Sequence, residues 1–250
     1  GVGSILAFFT SKTNTKFLSL ALGFSAGVMI YVSMIEIFSK AKISLAAELG
    51  ETGGSWATVG AFFAGMFLIG AIDRLVPDSG NPHETRMIED MKEPKTSVDG
   101  SKLMRMGMFT AIAVAIHNFP EGLATFTSAI KDPSLGIAIA AAIAIHNIPE
   151  GIAVSVPVYY ATGDRKKAFR LSFLSGLSEP LGALVGYLIL LPFFNDVVYG
   201  VLFAAVAGIM VFISLDELLP SAREYGEAHL SIYGLVAGMG VMAVSLLLFL

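Results

Sequence analysis

Residues 26–37 read AGVMIYVSMIEI, and residues 207–218 read AGIMVFISLDEL. Small, apolar and acidic positions match at a constant offset of 181. Both stretches lie in long apolar runs, so the number of helices between them decides the fold. A helix needs roughly 20 mostly apolar residues to cross the hydrocarbon core of a bilayer. The chain offers seven such runs, at about 17–38, 55–76, 103–130, 134–161, 168–191, 197–219 and 230–250. Residues 1–10 (GVGSILAFFT) are apolar but half a span long, with no basic segment before them and no A-x-A-like site after them, as a signal peptide would have. They read as the tail of a first helix that begins ahead of this numbering. The repeats then fall in spans two and seven, five steps apart and therefore antiparallel, which is the signature of inverted repeats. The expectation is an all-α integral membrane protein, residues 1–250 forming one transmembrane domain. Its eight helices would be arranged 3+2+3, with spans four and five as the central pair.

Composition agrees with a lipid environment. Of 250 residues 55% are hydrophobic and 14% charged, and the mean hydropathy is +0.74, far from a soluble or a disordered chain. A net charge of −4 argues against a nucleic-acid partner. With no cysteine, thiolate metal sites and cysteine nucleophiles are excluded.

Orientation follows from the basic residues. Thirteen of the sixteen fall on one side of an eight-span layout: Lys12, Lys16, Arg74, Arg86, Lys92, Lys95, Lys102, Arg105, Arg165, Lys166, Lys167, Arg170 and Arg223. Lys40, Lys42 and Lys131 fall on the other. That side is the outside, and both termini face it. Trp56 at the outer start of span three fits an interfacial aromatic. The connection 77–102 is charged, holds three prolines and has no apolar period, so it is expected to be a mobile cytoplasmic loop. His83 within it, like His229, reads as a solvated histidine.

The central pair carries a second repeat. His117-Asn118-Phe119-Pro120-Glu121-Gly122 recurs 29 residues later as His146-Asn147-Ile148-Pro149-Glu150-Gly151, five of six positions being identical. Each copy lies near the middle of its span. His and Glu at i and i+4 share one helix face, so His117 with Glu121, and His146 with Glu150, can each grip one metal ion. Asn118 and Asn147 point about 100° round the helix and add carbonyl ligands. Pro120 and Pro149 cannot donate backbone hydrogen bonds and free the carbonyls of Ile116 and Ile145. Gly122 and Gly151 allow close helix approach. A single His-x-x-x-Glu pair also occurs as a structural hydrogen bond; two copies at matched depth favour ligation.

Further acids interrupt the apolar spans: Glu36 in span two, Glu179 in span six, Asp216 and Glu217 in span seven. An ionised carboxylate at the bilayer centre costs roughly 3 kcal/mol or more, so these groups are expected to face inward and share cations. Glu179, beside Pro180, is a candidate ligand, whereas Glu36 and Glu217 are candidate pathway acids at the outer and inner mouths. Met29, repeat-equivalent to Met210, is either packing or a further ligand. Histidine, asparagine and carboxylate together suit Zn²⁺, Fe²⁺, Mn²⁺ or Cd²⁺. No resident cofactor is implied, because the metal would be cargo. The leading reading is uptake of a divalent metal into the cytoplasm by alternating access. The rivals are a metal-selective channel and an intramembrane metallohydrolase; against the latter, Asn replaces the catalytic Glu of HExxH, Pro breaks the helix and the unit is duplicated.

These residues resemble the ZIP (Zrt/Irt-like) family of divalent metal transporters, in its bacterial branch, over nearly the whole chain: HNFPEG, HNIPEG, GVMIYVSMIEI and GLSEPLG appear in the family's order. The resemblance implies a binuclear metal centre between spans four and five. One site would use His117, Glu121, His146 and Glu150, with Met29 as an additional candidate. The other would use Asn118, Asn147 and Glu179, with Glu121 and Glu150 as bridges. It also implies that spans one, four, five and six move against two, three, seven and eight. The chain departs from many relatives in lacking a His-rich inner loop, and the repeat partner of Glu179 would fall just before Gly1. Beyond metal and lipid, the sequence leaves a homodimer open.

Overall fold

Away from water an apolar chain can satisfy its backbone groups within a single segment only as a helix, and every regular element among the described residues is helical. The computed structural model describes residues 2–9, 15–75, 133–193, 195–225 and 228–248. It also describes positions 108, 111–112, 114–115, 118–119, 121–123, 125–127 and 129–130. α1 is Val2–Phe9, α2 Thr15–Tyr31 and α3 Phe38–Leu75. The helical positions between 108 and 130 form α4. α5 is Pro133–Thr162, α6 Arg165–Gly176 and α7 Ser178–Val185. α8 is Asp196–Ile213, α9 Leu219–Tyr225 and α10 Ala228–Leu248. The loop 77–102 and His83 lie outside the described residues.

Among the described residues four helical stretches are long and apolar enough to cross a membrane: Ser19–Ile72, Arg165–Ile189, Asp196–Asp216 and His229–Leu247. The first covers two of the spans expected from sequence, parted at Gly50, whose φ of 75° suits glycine. Helix therefore continues from span two well past residue 38. Residues 38–49 are rich in Lys, Ala, Leu and Glu, good helix formers. They also have a partner: Leu45 is fully buried against Gly200 at the start of α8, and Ser44 Oγ donates to the Asp196 carbonyl at 2.9 Å.

The sequence repeat has a structural counterpart. A π-helical turn, Val32–Ile37, follows α2, and another, Ser214–Leu218, follows α8; at the offset of 181 Ser33 corresponds to Ser214 and Ile37 to Leu218. Such turns are rare and are frequently found at functional sites. Helix contacts are reciprocal as well. A Cβ at Gly27 of α2 would overlap the carbonyl of Leu235 in α10, and one at Gly208 of α8 would overlap the carbonyl of Phe62 in α3. Likewise Gly238 seats on Phe24 and Gly65 on Ala205. Gly27 and Gly208 differ by 181, as do Phe24 and Ala205, while Phe62 and Leu235, and Gly65 and Gly238, differ by 173. The α2–α10 and α3–α8 pairs thus make the same contact in both halves, with glycine admitting the neighbouring backbone as is usual between membrane helices.

Around these pairs the core is apolar: Ala26, Met29, Val32, Phe203, Ala207 and Met210 are buried together, and Ile143 of α5 joins them. On the far faces of α3 and α10, Phe63, Phe67, Tyr233 and Val244 are exposed, an apolar surface suited to lipid. A second group joins α1, α5 and α6. The Gly151 carbonyl accepts from Ser172 Oγ at 3.1 Å and from Ser4 Oγ at 3.5 Å. Gly163 (φ 66°) turns the chain between α5 and α6, and Asp164 caps α6 by accepting from the amides of Lys166 and Lys167.

Candidate metal centre

Glu179 stands where span six is interrupted. Pro180 has no N–H to give the Gly176 carbonyl, and α6 ends at Gly176, so α7 restarts at Ser178 with Glu179 in its first turn. An acid is favoured there by the exposed amides of the helix start. Its Oε2 accepts a hydrogen bond from Asn147 Nδ2 at 2.9 Å, tying α7 to the second copy of the motif. Asn147 Oδ1 is buried and has no hydrogen-bond partner among the described residues, so a carbonyl lone pair remains available to a cation. α5 itself runs unbroken through Pro149.

The first copy of the motif lies against the same turn of α7. A Cβ at Gly122 would overlap the Glu179 carbonyl, and one at Gly182 would overlap the Phe119 carbonyl. Asn118 and Glu121, on the α4 segment held this way, are 1% and 0% exposed. The backbone next to Asn118 and Glu121 on α4 thus packs on the turn of α7 that carries Glu179, and Asn147 reaches the same acid from α5, so the three helices form one junction. Glu121 is fully buried and Glu179 half-buried, and an acid buried among apolar helices is costly as an anion unless cations or strong donors accompany it.

The other expected residues divide into three groups. His117 lies outside the described residues; the backbones of His146 and Glu150 are helical within α5, and that of Glu217 is in the second π turn, but their side chains lie outside the described set. Among the described residues no three His, Asp or Glu side chains are grouped to hold a metal. Met29 is 1% exposed and belongs to the core that includes Ile143, one turn before His146. Glu36 is not at the junction: it forms an ion pair with Lys40 at 3.0 Å on the first π turn, at an i,i+4 spacing. Sequence reasoning passed over Gly182 and Ser172. They are two of several small residues in this span, seven positions before and three after Glu179, and nothing local said which neighbour they would meet.

Fold and site together define a helical membrane protein with a few polar groups, Asn118, Glu121 and the Asn147–Glu179 pair, set among apolar helices. Residues 78–246 match the family described as ZIP Zinc transporter. The zinc transporter ZupT of Oceanobacillus iheyensis is 68% identical over 248 residues, which cover 99% of this chain and 92% of that protein. ZupT of Lysinibacillus sphaericus is 66% identical with the same coverage, and ZupT of Clostridium perfringens 62% identical over 261 residues, covering 100% and 92%. The chain belongs to the ZIP family. Its ZupT relatives are transporters and not enzymes.

Proposed function

We propose that the protein carries a divalent transition metal into the cytoplasm, zinc first, with iron, manganese and cadmium as further cargoes. The observation that carries the reading is the Asn147–Glu179 bond at a junction that also buries Asn118 and Glu121. This oxygen-rich set, completed by the imidazoles of His117 and His146 and the carboxylate of Glu150, suits such ions. In this reading the centre is binuclear, with Glu121 and Glu150 as bridges and Met29 as an additional ligand. Eight helices in a 3+2+3 arrangement surround it, both termini lie outside and loop 77–102 lies inside. The reciprocal contacts of α2–α10 and α3–α8, with α1 and α6 packed instead against α5, support alternating access by movement of one group against the other. Zinc, as the named cargo of the ZupT relatives, heads the list.

The test is metal uptake by purified protein in liposomes, with Zn²⁺, Fe²⁺, Mn²⁺ and Cd²⁺ supplied in turn. Wild-type protein should take up Zn²⁺ with saturation, and Glu121→Ala or His146→Ala should abolish uptake while reaching the membrane at normal levels. Uptake at the wild-type rate by both variants would sink the assignment. Flux that does not saturate would instead favour a channel.

A further inference from the structure

The contact between α4 and α7 is closer than side chains allow. At Gly122 and Gly182 it is backbone against backbone: each glycine faces a main-chain carbonyl of the other helix, that of Glu179 and that of Phe119 respectively. Gly186, one turn beyond Gly182, faces a softer surface, the ring of Phe126 and a Leu123 methyl. Carbonyl groups within helices cannot rotate away, whereas side-chain ends can. The two carbonyl contacts therefore fix how far apart the helices stand, at the residues next to the ligand positions. Gly122 adjoins Glu121, and Gly182 follows Glu179 by three positions, on the same face of α7. The Glu179 carboxylate cannot compensate freely for a shift of its helix, because Asn147 holds it from α5 at 2.9 Å.

We propose that Gly122 and Gly182 are positioning residues that set the separation of Glu179 from Asn118 and Glu121, and through it the size of cation the centre prefers. Selectivity among divalent ions is in part a matter of cavity size and ligand spacing. A methyl group at Gly182 needs about 3.5 Å from the Phe119 carbonyl to avoid repulsion, so α7 must withdraw from α4 and the acids must part. The wider centre should lose small ions before large ones. This inference rests on the reading of the junction as a metal centre.

The experiment measures equilibrium binding of Zn²⁺ and of the larger Cd²⁺ to the purified full chain in detergent by titration calorimetry, with uptake into liposomes alongside. Gly182→Ala should weaken Zn²⁺ about ten-fold more than Cd²⁺, a difference of ~1.4 kcal/mol. Gly186→Ala should shift the ratio the same way but less, since its neighbours yield. Gly208→Ala makes the same kind of clash away from the centre, against Phe62, and should lower thermal stability with no change in the ratio. The inference fails if Gly182→Ala weakens both metals in equal proportion or neither, or if Gly208→Ala moves the ratio as much. Should Gly182→Ala not fold, the Gly186→Ala ratio decides alone. Wild-type protein that binds Zn²⁺ but does not move it into liposomes would overturn transport while leaving the binding ratio as the test of spacing.

Discussion

Asn147 donates its Nδ2 hydrogen to Glu179 Oε2 at 2.9 Å, joining α5 to the restart of span six at α7. A hydrogen bond to a charged acceptor contributes about 1.5–3 kcal/mol, enough to hold the carboxylate in one orientation. The bond uses the amide's nitrogen and leaves its oxygen available, so one asparagine can hold Glu179 and still offer a lone pair.

That double role predicts non-additivity. Asn147→Ala and Glu179→Ala should each reduce Zn²⁺ affinity, and the double variant should lose less than the two single losses together, with a coupling of about 1–2 kcal/mol. Binding titrations around the four-member cycle measure it. Independent, additive losses would show that the bond does not couple the two groups.

The reciprocal glycine contacts predict equal penalties in the two halves. Gly27→Ala and Gly208→Ala each set a methyl against a backbone carbonyl, of Leu235 and Phe62, and overpacking of this kind costs about 1–3 kcal/mol. Gly60, in α3 with no atom within 4 Å of an added Cβ, should accept alanine with no loss or a gain of up to about 1 kcal/mol. Thermal unfolding in one detergent compares all three.

For the Glu36–Lys40 pair the expectation separates stability from transport. Both side chains are partly exposed, 23% and 33%, and such pairs contribute about 0–1 kcal/mol. Lys40→Ala should therefore unfold within a degree or two of wild type, and so should Glu36→Gln. If Glu36 meets the metal on its way in, Glu36→Gln alone should raise the KM for Zn²⁺ uptake. An unchanged KM would remove Glu36 from the pathway.

Ser172 supplies the test of the α1–α5–α6 group. Its hydroxyl bonds the Gly151 carbonyl at 3.1 Å from a 2% exposed position, and a buried bond of this kind is worth about 1 kcal/mol. Ser172→Ala should lower stability by that amount. Ser175→Ala, whose hydroxyl returns to the Ser172 carbonyl three residues earlier in the same helix, should cost less, because only a local bond is lost. Denaturation of the two variants side by side decides the order.

Much of the architecture was readable along the chain because it is written in local terms. Matching residues 26–37 with 207–218 picked out two stretches that each carry a π turn at the corresponding place. Duplication of the His-Asn-x-Pro-Glu-Gly motif marked the helices that meet at the junction. Glu179 was conspicuous because an acid inside an apolar span is expensive wherever it points. The apolar run of span two ends near residue 38, yet helix goes on to Gly50, since hydropathy reports where the apolar run ends and not where helix ends. Glu36 could be seen as an unusual acid, but not as one already paired with Lys40.

What the sequence by itself determined is the solvent, the helical class and the repeat of residues 26–37 at 207–218. Each of these follows from composition or from spacing along one helix. Only the tertiary structure decided that Gly182 seats on Phe119, that Gly122 seats on Glu179, and that Asn147 reaches across to the same acid. The reason is physical. In a soluble protein the apolar face of a helix reveals where it packs, but in lipid both faces are apolar, so no periodicity distinguishes the side that meets a neighbour. Which backbone a glycine admits depends on helix register and crossing, and those are set by all the helices at once.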